Sequence, residues 1–383
     1  MSIRYTDSSE MRLSEKLWQV NWSMIMLLCF IAAIGFTILY SAANGSLEPW
    51  AMQQMIRFAV GVVILLAAAV VDIRFWLRSA YAFYFLSLSL LVAMEIFGAS
   101  GSGVQRWIDT GFFQFQPSEI MKVFLVLALA RYFHGTDSKN VDKSIYLVAP
   151  LAMTAVPAIL IMRQPDLGTA TMLFVISGVM FFLAGVRIWK VTLLTLGALA
   201  AIPVGWQFLH DYQKKRLLAF LDPESDPLGT GYHIIQSKIA LGSGGVFGKG
   251  FLLGSQSHLN FLPEKQTDFV FTMLAEEFGF VGAFSLIGLY MLLVVYGFSI
   301  ALKSRSHFGR LAALGLTTTF FLYFFINIAM VMGVIPVAGV PLPLVSYGGT
   351  AMLTLMFSFG IITGVHVHRN QRISQYQTGQ MVE

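Results

Sequence analysis

The chain has 383 residues, 56% of them hydrophobic and 12% charged. A water-soluble protein carries about twice that share of charge, so one soluble core is excluded and most of the sequence belongs in lipid. The formal net charge of +5 does not point to nucleic acid, because the basic residues sit in short loops between hydrophobic runs.

Taken in order, residues 1–23 are polar and mixed in charge, and no cleavage site follows the first apolar run, which reads as a retained helix. Ten runs are long enough to cross a bilayer: 24–43, 55–71, 75–97, 118–133, 145–162, 169–184, 191–209, 278–302, 311–334 and 351–367. The expectation is therefore an all-α integral membrane protein of about ten transmembrane helices. Its membrane domain covers 24–367, between terminal tails 1–23 and 368–383. The stretch 210–277 forms one long outside loop between helices seven and eight, and connections of that length are often functional.

Basic residues set the orientation. Arg4, Arg12, Lys16, Arg74, Arg78, Arg131, Lys139, Lys143, Arg187, Lys190, Lys303, Arg305, Arg310, Arg369 and Arg372 fall on one side of a ten-span chain. The opposite short loops hold Arg57, Arg106 and Arg163. The positive-inside rule makes the basic side cytoplasmic, with both termini there. The single cysteine, Cys29, lies in the first run and excludes an intrachain disulfide.

Four outside groups could carry chemistry. In the first, Arg106-Trp107 precedes Gln116-Pro117-Ser118-Glu119 and Lys122. Pro117 suits a first helical turn, which sets Glu119 and Lys122 on one face. They read either as an ion pair closing a helix end or as an anion or sugar site. The second, Arg163-Gln164-Pro165-Asp166-Leu167-Gly168-Thr169, reads as a turn and helix start or as a functional loop. The third, Gly242-Ser243-Gly244-Gly245-Val246-Phe247-Gly248-Lys249-Gly250, lacks the Walker pattern, although glycine-rich backbone with Lys249 could approach a diphosphate. The fourth runs from Leu262-Pro263-Glu264 through Thr267-Asp268-Phe269 to Glu276-Glu277. Asp268 sits where polar sequence meets apolar, a setting that suits a helix cap or a general base. An uncharged segment, 334–350, rich in Pro and Gly and containing Ser346, reads as irregular backbone packed at membrane depth. His366 and His368 lack the acidic or thiol company of a metal site, and His210, His233 and His258 are scattered through the long loop.

Together these motifs resemble the SEDS family (shape, elongation, division and sporulation), closest to its elongation branch. The resemblance runs from the first span to the tenth. It also takes in Asp222-Pro223-Glu224-Ser225-Asp226-Pro227-Leu228-Gly229 and Pro341-Leu342-Pro343 with Ser346-Tyr347-Gly348-Gly349. It implies a peptidoglycan glycosyltransferase of the bacterial inner membrane. Such an enzyme polymerises lipid II into glycan strands at the periplasmic face during elongation and rod-shape maintenance. It implies Asp268 as the essential carboxylate, and a substrate cavity with Arg106, Glu119, Lys122, Asp166, Lys249, Glu264 and Ser346. A divalent cation, Mg or Mn, could share the charge of the diphosphate, and no organic cofactor is expected. The implied partners are lipid II, undecaprenyl-diphosphate-linked glycan, a class B penicillin-binding protein transpeptidase, other elongation-complex proteins and membrane lipids, with no nucleic acid. One departure is Asn260, where relatives often carry Glu. Two rival readings, a lipid flippase and a noncatalytic scaffold, predict no bond formation.

Overall fold

The structure, a computed structural model, describes residues 11–97, 107–109, 114–137, 141–200, 202–208, 211–222, 230–255 and 265–373. In chain order the helices are α1 (Leu13–Trp18), α2 (Trp22–Ala42), α3 (Ala51–Val70), α4 (Ile73–Phe97), α5 (Pro117–Gly135), α6 (Ser144–Arg163) and α7 (Leu167–Leu183). They continue as α8 (Ile188–Ala200), α9 (Ile202–Phe208), α10 (Asp211–Leu221), α11 (Thr230–Ser243), α12 (Val270–Lys303), α13 (His307–Val331) and α14 (Gly349–Val367). Two short strands, Ile108–Asp109 and Gln114–Phe115, pair antiparallel ahead of α5.

Seven helices, α2, α3, α4, α6, α12, α13 and α14, are long and apolar enough to cross a membrane. They stand at the first, second, third, fifth, eighth, ninth and tenth expected spans. At the fourth, α5 carries Glu119, Lys122 and Arg131 along 19 residues. At the sixth, α7 has 17 residues. The seventh run holds two shorter helices, α8 and α9, with Pro203 in the first turn of the second, where a missing N–H breaks no helical bond. Inside the expected long loop lie α10, α11 and the beginning of α12, which starts at Val270 rather than near 278.

The middle of the bundle belongs to α13 and α14, whose most apolar stretches are 83% and 78% buried, against 28–44% for the other five. Lipid offers no hydrophobic drive between helices, so close packing must hold them. Gly360 and Gly364 on α14 supply it: a Cβ on Gly360 would lie 2.7 Å from the Leu65 carbonyl oxygen of α3. The two prolines inside α6 show how apolar surroundings are made tolerable. Pro150 and Pro157 leave the carbonyls four residues earlier without their helical N–H. The Tyr132 hydroxyl donates to the Tyr146 carbonyl at 2.7 Å, and the Tyr84 hydroxyl to the Met153 carbonyl at 2.9 Å.

The basic segments gather at one end. The Lys16 ammonium donates to the Val70 carbonyl, Gln371 donates to the Asp72 carboxylate, and the Arg305 N–H donates to the Arg369 carbonyl. Arg187 pairs with Asp142 at 2.9 Å. His134 at the end of α5 stacks against His307 at the start of α13, which joins these two groups. Burial pushes the Asp72 carboxyl up, but hydrogen bonds from the Arg74 N–H and Gln371, with the charges of His368 and Arg74, bring it below its ordinary value.

Candidate active site

At the other end, Pro117 opens α5 and Glu119 lies in its first turn. One turn on, Lys122 places its ammonium 2.6 Å from Glu119 Oε1, with side chains 1% and 6% exposed. A buried pair is tolerable only when its remaining valences are met. Tyr323 of α13 does this twice. Its hydroxyl donates to Glu119 Oε2, and its ring lies 4.3 Å from Lys122 Nζ. The trio lines a cavity of about 30 Å³ that also touches Gln54, Thr319, Ser346, Thr354 and Ser358.

Asp166 caps α7. Its carboxylate accepts the Thr169 N–H at 3.1 Å and the Thr169 hydroxyl at 2.9 Å. Gln116 reaches it at 3.3 Å and gives its own N–H to the Thr350 hydroxyl at 3.2 Å. Asp166 therefore ties the start of α7 to the starts of α5 and α14. It is not among the residues that line the cavity.

Asp268 is half-buried and directly precedes Phe269, the N-cap of α12. Its backbone is clamped at three consecutive carbonyls. The Gln266 oxygen accepts the Tyr347 N–H at 2.8 Å, and the Thr267 oxygen accepts the Ser346 hydroxyl. The Asp268 oxygen accepts Asn327 Nδ2 at 3.0 Å, and the same amide reaches the Val340 carbonyl at 2.7 Å. Ser346 itself is fixed. Its hydroxyl oxygen accepts the Leu342 N–H at 2.8 Å, and its carbonyl accepts Gln54 Nε2 at 2.9 Å. Ser346 thus lines the Glu119–Lys122 cavity and also holds the loop that carries Asp268. Gly339, whose φ of 67° suits glycine, adjoins the carboxylate: a Cβ there would stand 3.8 Å from Asp268 Oδ2, an ordinary contact.

The expected site residues therefore fall into separate groups. Glu119, Lys122 and Ser346 share the cavity, and Asp268 adjoins it through Ser346. Lys249 does not line it. Its ammonium pairs with Glu276 at 2.8 Å and bonds the Ser255 hydroxyl at 2.8 Å. Arg106, Glu264 and Asn260 lie outside the described residues. Among the described residues, no group of three or more His, Cys, Asp or Glu could hold a metal ion. Sequence reasoning missed Gln54, Tyr323 and Asn327, which knit the site together. The available signal was an uncharged polar side chain within an apolar helix, where an unmet donor is expensive.

A family model described as cell cycle protein, for FtsW, RodA and SpoVE, matches residues 16–371. The chain is 44% identical to the peptidoglycan glycosyltransferase MrdB of Escherichia coli (strain K12), across 92% of this chain and 95% of that one. It is 32% identical to the peptidoglycan glycosyltransferase RodA of Treponema pallidum (strain Nichols), across 91% and 98%. Among solved structures it resembles a chain of a peptidoglycan synthase complex that coordinates polymerization and crosslinking. There the TM-score is 0.78 and the identity 33%, over 92% of this chain and 99% of that one. The rod shape determining protein RodA of Thermus thermophilus gives a TM-score of 0.69 at 28% identity, over 92% and 98%.

Proposed function

The chain belongs to the FtsW/RodA/SpoVE family of cell cycle proteins, and from that premise we propose that it polymerises lipid II into glycan strands at the periplasmic face of the bacterial inner membrane. It is a multi-pass membrane protein and a peptidoglycan glycosyltransferase, as its relatives are named. The gathering of basic segments at one end supports a cytoplasmic position for that end and for both termini. The opposite end, with Asp268, then faces the periplasm.

The reaction joins two lipid-anchored sugars. The acceptor 4-hydroxyl attacks the anomeric carbon of the donor glycan, and undecaprenyl diphosphate leaves. A base must take the hydroxyl proton, and positive charge must meet the leaving diphosphate. Asp268 is the base. Lys122 and Arg106 supply the charge, and Glu119 holds Lys122 in place. Ser346 holds the Asp268 loop, Asp166 fixes the start of α7, and Glu264 is a further contact to the substrate. A single displacement inverts the anomeric carbon. A divalent cation would share the neutralisation of the diphosphate; the described residues form no ligand cluster for one, and no step above runs through it. The likeness to a synthase complex supports a class B penicillin-binding protein as partner, with the crosslinking of new strands as its task.

One observation carries this reading: the carbonyls of Gln266, Thr267 and Asp268 are held by three separate donors beside the cavity that holds Glu119 and Lys122. A base held so firmly can keep one geometry toward a substrate. The test is lipid II polymerisation by the purified chain with its partner transpeptidase, with moenomycin present to silence the other class of polymerase. Asp268→Asn is nearly isosteric and should fold, yet lose activity by about a hundredfold or more. Equal polymer from both proteins would move the base elsewhere in the cavity.

A further inference from the structure

The helix α12 runs for 34 residues but is broken at Gly279, with φ 69° and ψ −164°. In an unbroken helix the N–H groups of Phe280 and Val281 would reach the carbonyls of Glu276 and Glu277. The break leaves these four groups without each other, in a place where unmet backbone is expensive. One glycine-rich loop satisfies all four. Lys249 N–H reaches the Glu276 carbonyl and Gly250 N–H the Glu277 carbonyl, each at 3.0 Å. In return, Phe280 N–H reaches the Gly245 carbonyl at 2.9 Å and Val281 N–H the Val246 carbonyl at 3.1 Å. The loop must come very close to do so. A Cβ on Gly244 or Gly248 would stand 2.1 Å from the carbonyl oxygens of Ala275 and Glu277 respectively. These glycines are thus accounted for by contact with the helix. The side chains repeat the clasp, since Lys249 bridges Glu276, which is fully buried, to Ser255.

We propose that Lys249 and Glu276 are positioning residues for glycosyl transfer, acting on Asp268 through the buried half-helix before the break. This rests on the reading of Asp268 as base. The segment from Gln266 to Val281 is held at both ends. Tyr347, Ser346 and Asn327 clamp its start, and the glycine loop clasps its break. Between them, Val270, Phe271, Thr272, Met273 and Leu274 are all buried, so the half-helix transmits a shift at Glu276 as a displacement of its first turn. Lys249 contributes through Glu276 and touches no substrate.

The test is steady-state lipid II polymerisation by the full chain with its partner, comparing wild type with Lys249→Met, Glu276→Gln, the double variant and Lys249→Arg. Each single variant should lower kcat about tenfold or more, the scale of a sub-ångström misplacement, with KM for lipid II unchanged. The double variant should be no slower than the slower single, because both remove one interaction. Lys249→Arg should restore most of kcat. A rise in KM for Lys249→Met, with Glu276→Gln kinetically silent, would overturn the proposal and make Lys249 a diphosphate ligand. Unchanged kinetics in all variants would overturn it too. Should Lys249→Met fail to fold, Ser255→Ala, which removes a hydroxyl that bonds both the Lys249 ammonium and the Glu276 carboxylate, carries the same test. A fall in kcat at constant KM supports the clasp, and any other pattern overturns it. Activity surviving in Asp268→Asn would remove the base assignment while leaving the Lys249–Glu276 cycle to be read on its own.

Discussion

The two lysine–glutamate pairs, Lys122–Glu119 and Lys249–Glu276, have similar lengths and different surroundings. Lys122 and Glu119 are both buried, three residues apart on one helix, with Tyr323 completing their contacts at the wall of a cavity. Lys249 and Glu276 come from a loop and a broken helix, and only the glutamate is fully buried; the lysine side chain is 28% exposed. The first pair is a closed unit at the cavity wall. The second joins two chain segments. The comparison teaches that burial of the partner left behind, rather than the distance between the two, decides what losing one partner does. A buried charge left alone has no water to replace its partner, whereas an exposed one does.

The sharpest way to break this contrast is to remove one member of the closed pair. Glu119→Ala should cost about 3–5 kcal/mol, since it strands Lys122 at 1% exposure. Thermal unfolding in detergent reads this as a large fall in Tm. Reversing the charges, with Glu119→Lys and Lys122→Glu together, should regain part of the stability. Restored activity in that variant would show that the pair serves the helix end and not the diphosphate.

Tyr323→Phe keeps the ring beside Lys122 and removes only the hydroxyl given to Glu119. The expected cost is about 1.5–3 kcal/mol, the range for a hydrogen bond to a charged group. An unchanged Tm would mean that Glu119 has another donor ready.

At the opposite end, Asp72→Ala removes a carboxylate that accepts the Arg74 N–H at 2.8 Å, at the start of α4. A cap of this kind is worth about 1 kcal/mol. The Asp72 carboxyl lies below its ordinary value in the folded protein, so its contribution is present above the unfolded carboxylate pKa. It fades as pH falls through the folded value. The Tm gap between wild type and Asp72→Ala should therefore be full at neutral pH and shrink on acidification. A gap that widens in acid would contradict the sign.

The smallest effect is expected where an ion pair is wetter still. Arg187 pairs with Asp142 at 2.9 Å, but its side chain is 70% exposed. Arg187→Ala should cost less than about 1 kcal/mol and should matter less as salt is raised. A loss equal to that of Glu119→Ala would undo the argument from burial.

By itself the sequence determined what depends on local order along the chain. Runs of apolar residues require helices in lipid, because only a helix satisfies its own backbone there. Seven of the ten expected spans are helices long enough to cross, and the other three regions are helical but shorter or more charged. The Glu119–Lys122 pair was legible because Pro117 sets the helical phase and three residues separate the two charges. Asp268 stood out as a carboxylate at a change from polar to apolar sequence.

The tertiary structure alone decided which distant groups meet. Ser346 and Thr267 are 79 residues apart, and Tyr323 and Glu119 are 204 apart. No periodicity links such positions, and an uncharged polar residue in an apolar helix says that it needs a partner without saying which. The beginning of α12 shows the same limit. Residues 270–277 follow a polar stretch and contain two adjacent acids, so they read as loop. They are helical and buried because Gly279 permits the break and the glycine loop meets the four backbone groups it exposes. That solution exists only once two segments some thirty residues apart lie against each other, and hydrogen-bond satisfaction in a low-dielectric interior is the physical reason they do.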